Sequence, residues 1–161
     1  MLWLFFPSIA PVNELISSVL HRLLRHQEIM NELINEQSEV FGDHLYPDAG
    51  STDCFTIESV RKLVKLDSVC RESFRTNKGF TATDRTNVGG ESVILSNGVA
   101  IPPGQDVLLN SWINHQDSKL QRDNIGNYEK FEPFRHLETN HRVTRTGDDF
   151  MLFGVGKHVC P

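Results

Sequence analysis

A chain of 161 residues with 39% hydrophobic and 23% charged residues can bury a real core, since one domain of this size hides roughly 70% of its unfolded surface. A formal net charge of -5 leaves no extended basic field, so nucleic acid is not an expected partner. Three widely spaced cysteines, Cys54, Cys70 and Cys160, form neither a disulfide framework nor the CxxC pairs of a structural zinc site, which points to a reducing compartment.

In chain order, the opening "MLWLFFPSI" is apolar, carries no Lys or Arg, and falls far short of the roughly 20 residues that span a bilayer. A buried helix end is expected there. Leu15, Ile16, Val19, Leu20, Leu23 and Leu24 recur at helical spacing, and Ile29, Met30, Leu33, Ile34 and Val40 repeat the pattern. The spacing predicts helices over about 12–25 and 27–41, with Pro7 and Pro11 marking the start of the first. "GDHLYPDAGSTD" at 42–53 gathers turn residues and reads as a loop. Thr56 is a candidate N-cap for a short helix, and the apolar spacing from Ile57 to Phe74 runs on into a longer helix at 64–76.

The texture then changes. "SVIL" and "VAI" flank the turn signal Ser96-Asn97-Gly98, and "DVLL" follows "PPG", predicting small β structure. After Trp112 no helix or strand of ordinary length fits, so a long coil is expected to run toward the C-terminal loop. A coil of that length in a compact domain is either functional or tied down. No internal repeat or low-complexity tract appears.

The chain closes on "FGVGKHVCP". A lone cysteine near a terminus is ordinarily a free thiol in a tail. Gly154 and Gly156 shift that reading, because glycine allows positive φ and, having no Cβ, lets the backbone lie against a flat ligand with its N–H groups toward the sulfur. A thiolate held this way is a strong axial donor to haem iron. Phe153 would then pack beneath the ring, and Lys157 or His158 would meet a porphyrin carboxylate.

These residues resemble the cysteine-ligand loop of the cytochrome P450 family, FxxGxxxCxG, with Phe153, Gly156 and Cys160 at the matching positions and His158 where arginine is usual. "RESFR" resembles the family's ExxR signature, Glu72 and Arg75 lying three apart on one side of a helix. "FEPFRHL" is similar to its FxPxRF segment and sets Arg135 where it would join Glu72 and Arg75 and fasten the coil, with His136 replacing the usual Phe or Tyr. "LSNGVAIPPGQDVLLNSWINHQD" resembles the strand, turn and strand that precede the family's H-x-D stretch, here His115 and Asp117.

The resemblance covers essentially the whole chain, but only the C-terminal part of a family member. It implies one partial domain over 1–161, mainly α with small β elements: the end of the oxygen-binding helix, the next helix, the ExxR helix, a small β-hairpin, a long coil and the Cys loop. The N-terminal half and the helix after the Cys loop are expected to be lacking. By the same resemblance the function is that of a haem-thiolate monooxygenase, an oxidoreductase that incorporates molecular oxygen, with the partial chain inactive alone. The implied cofactor is haem b (iron protoporphyrin IX), its iron ligated by Cys160 and its ring contacted by Phe153, Gly154, Gly156 and His158. Glu72, Arg75 and Arg135 are the implied structural cluster.

An NADPH-dependent flavoprotein reductase is the implied electron donor, and the substrate is small and hydrophobic. A full-length relative would be anchored at the cytosolic face of the endoplasmic reticulum, although this chain shows no anchor. Set against the family's proton-relay pattern in the oxygen-binding helix, "PSIAPV" at 7–12 puts Ala10 at the acid and Pro11 and Val12 at the hydroxyl positions, with Ser8, Asn13 and Glu14 the nearest polar residues. Proton delivery through water or substrate groups, or a rearrangement that needs no relay, is therefore expected. A second reading is a non-catalytic helical interaction protein derived from the family, which would carry no haem colour. The seven histidines include no HExxH, and His136 with His141, like His21 with His26, is expected at the surface.

Overall fold

The computed structural model describes residues 2–42, 54–77, 83–121, 126–139 and 141–160, apart from the side chains of residues 2–8 and His158. It divides into two compact units, residues 1–76 with 125–145 and residues 77–124 with 146–161. Most of the predicted 42–53 loop lies outside the described residues.

The first unit is helical. Helix α1 spans Leu2–Arg25 and α2 spans Gln27–Phe41, separated at His26, whose φ of -131° and ψ of 77° lie outside the helical region. The short α3, Ile57–Lys62, leads through Leu63 into α4, Val64–Arg75. Val19 of α1, Ile29 and Leu33 of α2 and Val69 of α4 form the buried core, with Leu23, Leu66, Phe74, Phe131 and Phe134 packed around it. Burial of such side chains, worth about 1.5–3 kcal/mol each, turns the apolar stripes of three helices inward.

Two expectations about α1 need correction. It starts ten residues earlier than predicted and runs through Pro7 and Pro11. Two prolines four residues apart each remove one N–H without preventing helical φ at neighbouring positions, so the helix persists at a cost. Nor is its N-terminal part buried where side chains are described: Ile9 is 62% exposed. The core-facing stripe begins at Leu15, while Ile9, Val12, Ile16, Leu20 and Leu24 form an exposed apolar row.

Helix α3 is short enough to depend on its cap. The Thr56 side chain accepts the Ser59 N–H at 3.1 Å, and the Ser59 hydroxyl accepts the Thr56 N–H at 2.9 Å, a reciprocal pair. Thr56→Ala is expected to destabilise the protein by about 1 kcal/mol and to speed exchange of the Ser59 amide, while Thr56→Ser stays near wild type. Helix α4 has no cap from its own N-cap residue. Glu36 of α2 supplies one, accepting the N–H groups of Lys65 at 2.5 Å and Leu66 at 2.9 Å. A carboxylate at a helix start also suits the helix dipole.

The second unit contains small β structure. Strand β2 (Val93–Ile94) pairs antiparallel with β3 (Ala100–Ile101) across the predicted turn, closed by the Gly98 N–H on the Leu95 carbonyl at 2.9 Å. Strand β4 (Asp106–Leu109) pairs with β1 (Thr83–Thr86) in the register Thr83↔Leu109 to Thr86↔Asp106. The sequence reading did not predict β1. A single turn of helix, α5 at Ser111–Asn114, follows, and the described residues from there to 155 form no longer element.

Candidate functional site

Two constellations carry chemistry, one in each unit. In the first unit α4 places Glu72 and Arg75 on one side of the helix, and the coil after Gly126 brings Arg135 to the same carboxylate. Glu72 is 0% exposed and Arg75 1%. Arg75 grips both carboxylate oxygens, Nε to Oε2 at 2.7 Å and Nη2 to Oε1 at 2.8 Å. Arg135 Nε lies 3.3 Å from Oε1, and the Glu132 N–H reaches the same oxygen at 3.0 Å. The arginines then turn to the coil's main chain: Arg75 Nη1 donates to the Tyr128 carbonyl at 2.7 Å, and Arg135 Nη2 to the Asn127 carbonyl at 2.9 Å.

A residue from the expected surface set belongs here. His136 is 4% exposed, and its Nε2 sits 3.2 Å from Glu72 Oε2. It is buried because its main-chain N–H is bound to the Ser68 hydroxyl at 3.2 Å, while that hydroxyl donates to the Pro133 carbonyl at 2.9 Å. Further along, Arg71 Nη1 holds the carbonyls of Arg142 and Arg145 at 2.9 and 2.7 Å, and Asp67 accepts the Val143 N–H at 3.0 Å. The coil is thus tied to α4 at several points, through Asp67, Ser68 and Arg71 as well as through Glu72, Arg75 and Arg135. Aligning Asp67, Ser68, Arg71, Glu72 and Arg75 on the helix gives steps of one, three, one and three, and that polar face on a buried helix was the available signal.

Burial pushes the Glu72 carboxyl up, but the hydrogen bonds from Arg75 and His136, the Arg75 charge and the Glu132 N–H outweigh it and hold the pKa at about 2. The folded value lies below the ordinary 4.5, so this carboxylate stabilises the fold fully above pH 4.5 and loses that contribution as pH falls toward 2. The lost share is about 3 kcal/mol. Urea midpoints are expected to drop across that window, and a flat profile there would contradict the assignment.

In the second unit the Cys loop is seated on residues 110–121. His115 is 1% exposed, accepts the Met151 N–H on Nε2 at 2.9 Å and stacks on Phe150 with ring centroids 5.4 Å apart. Gln121 Nε2 binds the Asp149 carbonyl at 2.7 Å. Phe150 meets Phe153 edge-on at 6.3 Å, which anchors the start of the loop. Gly154 and Gly156 have φ of 77° and 61°, the left-handed region their residue type permits. The Cys160 N–H closes the loop on the Phe153 carbonyl at 2.7 Å.

That closure corrects one expectation. The Cys160 amide is spent on Phe153, and among the described contacts no N–H is directed at the sulfur. The space beside the loop is open. Cys160 is an exposed free thiol, and a Cβ built on Gly156 would meet nothing within 4 Å. Cys70 is less suitable. Burial, with Asp67 adding to it, pushes the Cys70 thiol up to about 11, far from the thiolate that binds metal. The His158 side chain lies outside the described residues, and Lys157 is exposed.

These geometries agree with what the chain is similar to. Residues 4–161 match the family model described as Cytochrome P450, and the chain belongs to that family. Its relatives include cytochrome P450 monooxygenase 3 of Gibberella fujikuroi, 29% identical over 97% of this chain and 32% of that protein. Cytochrome P450 monooxygenase verB of Clonostachys rogersoniana is 27% identical, covering 100% of this chain and 30% of the relative. Cytochrome P450 monooxygenase 71 of Postia placenta is 33% identical over 66% of this chain and 22% of the relative. The chain spans about a third of the length of the first relatives it matches. Among the described residues no helix is long and apolar enough to cross a membrane.

Proposed function

We propose that the 161 residues form the C-terminal part of one cytochrome P450 domain and supply the thiolate side of a haem-thiolate monooxygenase. The observation that carries this reading is the exposed thiol of Cys160 on a loop bent by two positive-φ glycines and closed on Phe153. Haem b, bound there, supplies activation of molecular oxygen for insertion into a substrate, and thiolate ligation raises the electron density that favours O–O cleavage. Cys160 is the iron ligand. Gly154 and Gly156 leave room for the ring, Phe153 sets the loop's start, and Lys157 or His158 pairs with a propionate. Glu72, Arg75 and Arg135 hold the coil of the first unit to α4.

In this reading the electrons come from an NADPH-dependent flavoprotein reductase, and the substrate is a small hydrophobic molecule. The complete protein sits at the cytosolic face of the endoplasmic reticulum. Position 10 carries alanine, 11 proline and 12 valine, none of which moves a proton, so protons reach the site through water or substrate groups or the reaction is a rearrangement that needs none. Asn13 and Glu14 are both exposed on α1 and are the described polar alternatives. The test is the ferrous carbonyl spectrum of the complete domain: a red-shifted Soret band supports a thiolate ligand, and the spectrum of a histidine-ligated haem contradicts it.

A further inference from the structure

We propose that His136 is a positioning residue whose Nε2–H completes the donor set around Glu72 and thereby orients Arg75 and Arg135. An ionised carboxylate only accepts hydrogen bonds, so the hydrogen between Glu72 Oε2 and His136 Nε2, 3.2 Å apart, belongs to the imidazole. His136 Nδ1 is buried and makes no hydrogen bond among the described groups, so the bond to Glu72 is the one the ring makes there.

Arg75 from α4 and Arg135 from the coil share the Glu72 carboxylate with His136, and Lys65, Asp67, His141 and Arg142 line a cavity with that residue. Two guanidinium groups share the fully buried Glu72 carboxylate. Glu132 is engaged with Arg135 Nη2 at 3.0 Å, and Asp67 with the Val143 N–H.

The distribution of donors shows what His136 contributes. Among the described contacts, Oε1 of Glu72 receives Arg75, Arg135 and the Glu132 N–H, and Oε2 receives Arg75 Nε and His136. Without His136 the carboxylate is pulled to one side, and the fork of Arg75 that carries the Tyr128 and Lys130 carbonyls turns with it. The ring itself cannot follow, because the Ser68 hydroxyl fixes its main-chain N–H. An aromatic hydrocarbon at 136 would fill the same volume and supply no donor. This inference rests on the proposed function only in that the coil leads to Cys160, and its tests require no haem.

Two measurements on the protein decide it. In nitrogen-15 spectra of histidine-labelled protein at neutral pH, His136, identified by its absence from His136→Gln, is expected to carry a proton on Nε2. A ring protonated on Nδ1 alone overturns the proposal. The second measurement compares His136→Gln, whose amide N–H has similar reach, with His136→Phe, which keeps the ring and loses the donor. Exchange of the Glu132 amide is expected to be about tenfold or more faster in the Phe variant than in the Gln variant, the loss of one hydrogen bond to a charged group. Equal exchange in the two variants, or faster exchange in Gln, shows that packing alone sets this position and overturns the proposal. An absent thiolate spectrum would sink the haem reading while leaving both of these results intact.

Discussion

Glu72→Ala is expected to yield little soluble protein, with a stability loss on the order of 3–5 kcal/mol in whatever folds. The carboxylate is 0% exposed and is bound by Arg75, Arg135, His136 and the Glu132 N–H. Truncation leaves two guanidinium groups, each under 5% exposed, facing a cavity where their counter-charge stood. An exposed helical Glu and Arg three residues apart would contribute well under about 1 kcal/mol, so the experiment separates the two situations by a wide margin. Against a typical total stability of about 5–15 kcal/mol, the larger loss is enough to unfold a marginal domain. A soluble Glu72→Ala protein with the wild-type urea midpoint would show that the cluster does not hold the coil.

Cys160→Ser is expected to abolish the red-shifted ferrous carbonyl band of the complete domain. A serine hydroxyl is a hard, protonated donor at neutral pH, whereas a thiolate sulfur is a soft donor that binds iron strongly. Cys160 is exposed in this chain, so the substitution removes no contact of the described core. Cys54→Ser, altering another cysteine of the chain, is expected to leave the band in place. Retention of the band in Cys160→Ser would move the ligand elsewhere.

The helices of the first unit were legible where apolar residues keep a strict period and turn chemistry marks the ends. Helix α2 occupies the predicted 27–41, and α4 ends at Arg75 with Thr76 as its cap. The start of α1 was not legible, because Pro7 and Pro11 look like an initiation signal and nothing local in a single sequence says that the helix continues through them. Strand β1 was hidden for a different reason. All four residues of Thr83–Thr86 are exposed, so no apolar face alternates, and the partner strand lies some twenty residues away.

The site divides in the same way. Glu72, Arg75 and Arg135 could be named because their spacing matches a family pattern, and the structure brings all three to one carboxylate. His136 was read as a surface residue because a histidine in an aperiodic coil carries no local mark of burial. Its depth is set by a contact with Ser68, sixty-eight positions earlier. Glu36 likewise looks like any solvated helix residue. The hint was on the other helix, since Leu63 and Val64 offer α4 no polar cap and something distant had to provide one.

That the sulfur of Cys160 is the axial donor to haem iron is the central claim of the proposed function, and X-ray absorption at the iron edge of the haem-loaded complete domain tests it most directly. The account predicts one sulfur neighbour at bonding distance in the wild type, replaced by a lighter atom in Cys160→Ser. A first shell made up only of nitrogen and oxygen in the wild type, or a sulfur that persists in Cys160→Ser, would contradict it.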